Sequence, residues 1–218
     1  MNLIVTGATG TAGSEVIRQA IKDQGIEKVT AISRRPLDYA HDKLQVVLHN
    51  DFTDYSKLTD IFAGHDACAW CLGISQSQVS KPAYHVITHD YTLAAAHAMF
   101  NANPSMSFLF LSGQGADVSE KSRMIFARVK GQTENALNTV GFKRMYVVRP
   151  GGIKPTHIHN KMALVNKIML PIFPLLERFA PGMVISSAEL AKAILHILHN
   201  QGTQVVFENR ELRKLAQD

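Results

Sequence analysis

The chain has 218 residues, a formal net charge of +5, 46% hydrophobic and 19% charged residues. That balance excludes a disordered or fibrous chain and supplies enough apolar surface for a substantial core. The basic excess reads first as an ordinary surface; it also suits an anionic ligand or an acidic partner, and without a Lys/Arg block it does not point to nucleic acid.

Met1-Asn2-Leu3-Ile4-Val5 runs directly into a glycine-rich turn, with no basic leader or cleavage site, so the expectation is a cytoplasmic chain. Its two cysteines, Cys68 and Cys71, fit a reducing compartment. Leu3–Val5 reads as a short buried strand. After the turn, Val16, Ile17, Ala20 and Ile21 alternate with charged residues as on an amphipathic helix. Strands are predicted at Lys28–Ser33 and Leu44–Leu48, then a short helix at Tyr55–Phe62 with Asp54 as its cap. A fourth strand covers Asp66–Leu72 and stops at Gly73; a long helix covers Pro82–Phe100. Ser107–Leu111 is a strand, Ser119–Asn138 a helix, and Lys143–Val148 a strand closed by Arg149-Pro150-Gly151-Gly152. Helices at Lys161–Phe179 and Ser187–His199 and a last strand at Thr203–Phe207 complete the pattern.

Strands and helices alternating to residue 150 predict right-handed crossovers and a doubly wound parallel α/β sheet. The expectation is one domain, 1–218, with a cofactor-binding core at 1–150 and a mostly helical part at 151–218 packed over the ligand edge. The apolar stretch 162–185 is interrupted by Lys167, Pro171, Pro174, Glu177 and Arg178, which argues against a membrane span. It reads as a pocket-covering helix pair and as a candidate protein-docking segment; contact with a membrane surface is a lesser alternative.

The strongest chemical signal is Thr6-Gly7-Ala8-Thr9-Gly10-Thr11-Ala12-Gly13, between a strand and a helix. Gly7 permits the tight turn, Gly10 lets backbone approach a pyrophosphate, and Gly13 lets the helix pack close to the sheet. The helix N-terminus offers free N–H groups and the positive end of its dipole to phosphate. At the end of the second strand, where a carboxylate would take the ribose hydroxyls of NAD, the chain reads Ser33-Arg34-Arg35-Pro36. Two guanidiniums and a hydroxyl suit a 2′-phosphate, so the expected cofactor is NADPH.

These residues, with Asp51-Phe52, Leu72-Gly73, Ser112, Lys130 and Arg149-Pro150-Gly151, resemble the atypical short-chain dehydrogenase/reductases. The similarity is greatest to their NAD(P)-binding, NmrA-like and Tat-interacting-protein-like branch, which Val129-Lys130-Gly131 and Glu134 also match. The resemblance implies a Rossmann-type fold, with Thr9 and Thr11 on the phosphate loop and Asp51 on the adenine amino group beside Phe52. It also implies that Gly73 lies under the cofactor and that Pro150, Gly151, Gly152 and Ile153 lie near the nicotinamide. Ser112 would face the substrate, and Lys130 would hold the nicotinamide ribose. One departure stands out: the usual Tyr-x-x-x-Lys pair is replaced by Phe126-Ala127-Arg128-Val129-Lys130. Residues four apart share a helix face, so Phe126 takes the tyrosine's place and has no proton to give.

Cys68-Ala69-Trp70-Cys71 has redox spacing but falls in a strand, where residues three apart face opposite ways. His85 with His89, and His157 with His159, could be imagined as metal pairs, but no third ligand is evident, so no metal is expected. Tyr84, His85 and His157 are conceivable substitute acids, each more simply a surface residue. The expected function is NADPH-dependent reduction of a small carbonyl or unsaturated compound; the alternative is a cofactor-sensing regulatory or assembly protein without turnover.

Overall fold

In the computed structural model, residues 1–157 and 181–217 are described. β1 (Asn2–Thr6) leads through the glycine turn into α1 (Thr11–Ala20), followed by β2 (Lys28–Ser33) and β3 (Leu44–Leu48). A 3-10 turn and α2 (Thr59–Ala63) precede β4 (Ala67–Trp70). A long helix follows in three parts: α3 (Lys81–His85), a π-turn (Val86–Asp90) and α4 (Tyr91–Ala102). Then come β5 (Ser107–Leu111), α5 (Ile125–Val140), β6 (Arg144–Arg149) and β7 (Gly152–Lys154). After residue 180 the chain forms β8 (Val184–Ser186), α6 (Ser187–Asn200), β9 (Val206–Glu208) and α7 (Asn209–Leu215).

Seven strands form one sheet in the order β3-β2-β1-β4-β5-β6-β9, and every pairing in it is parallel. This is the expected doubly wound, Rossmann-like α/β fold. The central strands are buried on both sides, which explains apolar runs such as Leu3-Ile4-Val5 and Phe108-Leu109-Phe110. One core lies between the sheet and α1, α6 and α7, with Val5, Ile17, Ile194 and Leu212 in it. The other lies beneath α2, α4 and α5 and includes Trp70, Met99, Phe108 and Leu137. β7 and β8 pair in parallel apart from the main sheet.

Parallel strands put all their C-terminal ends on one edge. The strand order reverses there between β1 and β4, each of which continues in an opposite direction across the sheet. Such a switch point opens a crevice for a ligand.

The sequence pattern predicts helix from Ser119, but α5 begins at Ile125. The cause is Asp117, whose carboxylate accepts from the N–H groups of Ser119, Lys121 and Ser122 and from the Ser119 hydroxyl. Those donors are thereby withdrawn from a helical ladder. The same loop packs onto α5 at Gly131, where a Cβ would come within 1.8 Å of the Asp117 carbonyl oxygen. Asp54, expected as a helix cap, accepts from the Ser56 N–H at 2.9 Å and so starts the turn one residue ahead of its assigned N-cap. The helix expected at Lys161–Phe179, His159 and most of the 162–185 segment lie outside the described residues.

Candidate cofactor site

The glycine turn is built by contact as much as by conformation. Gly7 has φ +65°, a left-handed value that favours glycine, and a Cβ there would meet the Cys71 carbonyl oxygen at 2.4 Å. The Thr6 hydroxyl accepts from the Leu72 N–H at 3.1 Å, fixing the ends of β1 and β4 together. A Cβ on Gly13 would stand 2.4 Å from the Gly7 carbonyl oxygen, so α1 rides directly on the loop. Gly10 is different. It is exposed, it is the N-cap of α1 with no side-chain cap, and a Cβ there would meet only the Gly7 carbonyl oxygen, at 3.2 Å. Gly73 faces open space, with no atom within 4 Å of its would-be Cβ. Thr9 is exposed and Thr11 half-buried at the start of the helix. An uncapped helix N-terminus with bare backbone on both sides of the crevice fits the phosphates of a dinucleotide.

Ser33 ends β2 and is buried, with its hydroxyl accepting from the Arg35 N–H at 3.2 Å. Arg34 and Arg35 are exposed, and neither guanidinium has a partner among the described residues. Asp51, beyond β3, is exposed and accepts from the hydroxyl of Thr53 at 2.6 Å and from its N–H at 2.9 Å. The Thr53 hydroxyl first, and then its N–H, hold the Asp51 carboxyl below the usual carboxylate range. Phe52 is buried among the rings of His49, Tyr55 and Tyr91, so its role at this edge is to anchor the loop.

At the other end of the crevice, α5 presents Phe126, Lys130 and Glu134 at four-residue intervals on one face. The tip of the Phe126 ring lies over Gly113, where a Cβ would come within 2.6 Å of Cζ. Phe126 is half-buried, and its N–H donates to Gln76 Oε1 at 3.0 Å, tying the start of α5 to the loop after β4. Lys130 Nζ donates to the Leu111 carbonyl oxygen at 2.8 Å and sits 4.5 Å from the Phe110 ring centroid. Burial lowers its pKa to about 8, against the opposing pull of Glu134 and Cys71.

Glu134 is buried and accepts a very short hydrogen bond from the Ser112 hydroxyl. It also takes a two-pronged contact from Arg149, Nε to Oε1 at 3.1 Å and Nη2 to Oε2 at 2.5 Å. Arg149 Nη1 reaches Glu208 at 2.9 Å. The chain Ser112–Glu134–Arg149–Glu208 therefore ties the ends of β5, β6 and β9 to α5. The only proton on the Ser112 hydroxyl is directed at Glu134.

Pro150 is buried, Gly151 and Ile153 are half-buried, and Gly152 is exposed. The Gly151 N–H donates to Asn209 Oδ1 at 2.8 Å, and a Cβ on Gly151 would meet the Met183 carbonyl oxygen at 2.1 Å. Asn209 also donates to the Gly182 and Val184 carbonyl oxygens, so one buried amide holds the β6 end to the chain before β8. Neither Asn209 nor Gln76 belongs to a motif, and sequence reasoning misses both. Glu134 is matched there only by resemblance, with no role attached, although the spacing 126, 130, 134 is visible in the chain.

Cys68 and Cys71 are free and belong to cores on opposite sides of the sheet. Burial pushes the Cys71 thiol up to about 12 and raises Cys68 well above its ordinary range, the reverse of a reactive thiolate. Tyr84 is buried, and the His157 ring lies 3.8 Å from Glu15 of α1.

A family model described as NAD(P)H-binding matches residues 7–201. The chain belongs to this family. Protein HTATIP2 of Rattus norvegicus is 26% identical over 226 residues, covering 100% of this chain and 90% of the relative. A Kluyveromyces lactis relative, Protein FMP52, mitochondrial, is 27% identical over 158 residues, 70% of this chain and 67% of its own. These relatives set the chain in the atypical short-chain dehydrogenase/reductase branch. Among solved structures, a UDP-N-acetylglucosamine 4-epimerase from Methanobrevibacter ruminantium M1 aligns with TM-score 0.68 at 20% identity, over 94% of this chain and 74% of its own. WbmH of Bordetella bronchiseptica, solved with NAD+, aligns with TM-score 0.67 at 14% identity, over 99% and 79%. At such identities these two structures bear on the fold alone. No helix among the described residues is long and apolar enough to cross a membrane.

Glu134→Ala removes the buried carboxylate and leaves Arg149 without its main partner. The expected cost is about 3–5 kcal/mol of folding stability, read from urea unfolding. A loss below about 1 kcal/mol would mean that the network contributes little.

Proposed function

We propose that the protein is an NADPH-dependent oxidoreductase of the atypical short-chain type, acting on a small carbonyl or unsaturated compound. The observation that carries the cofactor choice is the pair of guanidiniums, Arg34 and Arg35, unpartnered among the described residues at the end of β2 beside the glycine loop. In this reading residues 1–150 bind the cofactor and 151–218 supply the substrate side of one domain.

Gly7, Thr9, Gly10, Thr11 and Gly13 hold the pyrophosphate, and Ser33, Arg34 and Arg35 take the 2′-phosphate. Asp51 meets the adenine, with Phe52 anchoring its loop. Gly73 leaves room for the middle of the cofactor, and Pro150, Gly151 and Ile153 shape the nicotinamide end. When bound, NADPH supplies a hydride. Lys130 holds the nicotinamide ribose and places positive charge near a substrate oxygen as negative charge develops there. Ser112 orients that oxygen by turning its proton away from Glu134, and the proton that completes the reduction comes from water. The basic surface is left without nucleic-acid function, and the chain works in the cytoplasm.

The Phe126 ring over Gly113 favours a second reading. A pocket with a phenyl where the branch carries a phenol, and a serine proton held by Glu134, suits a protein that binds NADP(H) as a signal and turns nothing over.

Two measurements test the cofactor site, and a third separates these readings. NADPH binds more tightly than NADH, and Arg34→Ala with Arg35→Ala removes most of the preference, at about 1.5–3 kcal/mol for each charge-assisted hydrogen bond removed; equal wild-type affinities by calorimetry reject the assignment. Lys130 is charged below its pKa of about 8 and neutral above it. NADPH affinity therefore falls as pH rises from roughly 7 to 9, and Lys130→Met makes the profile flat across that range. Phe126→Tyr adds a phenol one helical turn from Lys130, and NADPH oxidation on a carbonyl panel should rise by about 10²–10⁴-fold. A tyrosine variant that binds NADPH normally and stays inactive on the whole panel selects the sensor.

A further inference from the structure

The long helix before β5 changes pitch at one place, the π-turn Val86–Asp90 between α3 and α4. On its inner side lies the Thr88 carbonyl oxygen. That oxygen accepts from the Thr92 hydroxyl at 2.7 Å and from the Thr133 hydroxyl of α5 at 3.5 Å. The Thr92 hydroxyl in turn accepts from the Trp70 indole at 2.8 Å. The turn is thus fixed to the core from within.

On its outer side the changed pitch gathers ligands. In a regular α-helix residues five apart point about 140° away from each other, so Asp90 would leave the face of His85. The i→i+5 repeat of a π-turn returns the fifth residue above the first. Asp90 Oδ1 accordingly lies 2.8 Å from His89 Nδ1 and 3.4 Å from His85 Nδ1. The two imidazole centroids are 4.8 Å apart, and the three ligating atoms all lie within 4.8 Å of one another. The third ligand that spacing alone did not reveal is the residue the π-turn brings round.

The chemistry of the three groups is complementary. Among the described residues the two imidazoles are the only ion-pair partners of Asp90, so no Lys or Arg competes for its carboxylate. All three side chains remain accessible, at 42%, 25% and 45% exposure for His85, His89 and Asp90. A tetrahedral site with bonds of about 2.0–2.1 Å has edges of about 3.3 Å. The His85–Asp90 separation already matches that edge, and small rotations of accessible side chains close the rest. Two imidazole nitrogens with one carboxylate oxygen suit a borderline divalent ion and leave a coordination position for water.

We propose that His85, His89 and Asp90 form a divalent transition-metal site on the outer face of the π-turn, built from none of the residues assigned to the cofactor. The ion replaces the His89–Asp90 hydrogen bond and ties the end of α3 to the start of α4. The proposal does not depend on which cofactor or reaction the crevice serves.

Calorimetric titration of Zn²⁺ into chelator-treated full-length protein tests it. One equivalent should bind near pH 7.5. His85→Asn with His89→Asn should lower the affinity by at least about tenfold, and Asp90→Asn alone should lower it measurably. Circular dichroism and NADPH titration of each variant report whether it is folded, and the Asp90→Asn variant serves if the double variant is not. The proposal is overturned if the wild type shows no heat of binding. It is also overturned if folded variants keep the wild-type affinity, since the uptake then belongs to other histidines.

Discussion

The approach of β1 to β4 governs the rest of the architecture. The Cys71 carbonyl oxygen stands where a Cβ of Gly7 would be, and the Thr6 hydroxyl holds the Leu72 N–H across the same gap. Any side chain at position 7 forces the two strands apart at the point where the sheet reverses its order. α1 depends on the same contact, because Gly13 packs onto the Gly7 carbonyl oxygen and so aims the helix N-terminus into the crevice. The glycines divide into two kinds. Gly7 and Gly13 close the protein on itself, whereas Gly10 and Gly73 keep its surface open.

The opposite wall is built from charge. A buried lysine and a buried glutamate stand one turn apart on α5, and each is satisfied by the end of a neighbouring strand. Burial works against both, so their partners are what keep them in place. The Leu111 carbonyl oxygen and the Phe110 ring hold Lys130; Ser112 and Arg149 hold Glu134. The result is a cross-linked wall at this end of the crevice, with Phe126 on the same face of α5.

Much of this was legible in the sequence because it rests on local pattern. β2, β3 and β5 fall at the predicted residues: β2 and β5 are buried and show themselves as runs with sharp ends, and the edge strand β3 shows itself by its Leu and Val residues. The glycine loop was legible because backbone geometry demands its residues. The start of α5 was not, because Asp117 collects four donors and overrides a helical pattern. β7, β8 and α7 also escaped: strands of three residues carry no period, and α7 follows β9 directly. Gln76 and Asn209 act across 50 and 58 residues of chain, a distance at which local pattern is silent.

Asn209 has a consequence for the order of assembly. Strands β1 to β6 and their crossovers are all synthesised before the residues that finish the edge of the crevice. Gly151 is held by an amide made 58 residues later, and Glu134 shares Arg149 with Glu208 on β9. A nascent chain can therefore form the glycine loop while the far end of the crevice, at Glu134 and Gly151, is still loose. The glycine loop and the wall beside it are then complete before the docking of β9 and α7 fixes the other end of the crevice.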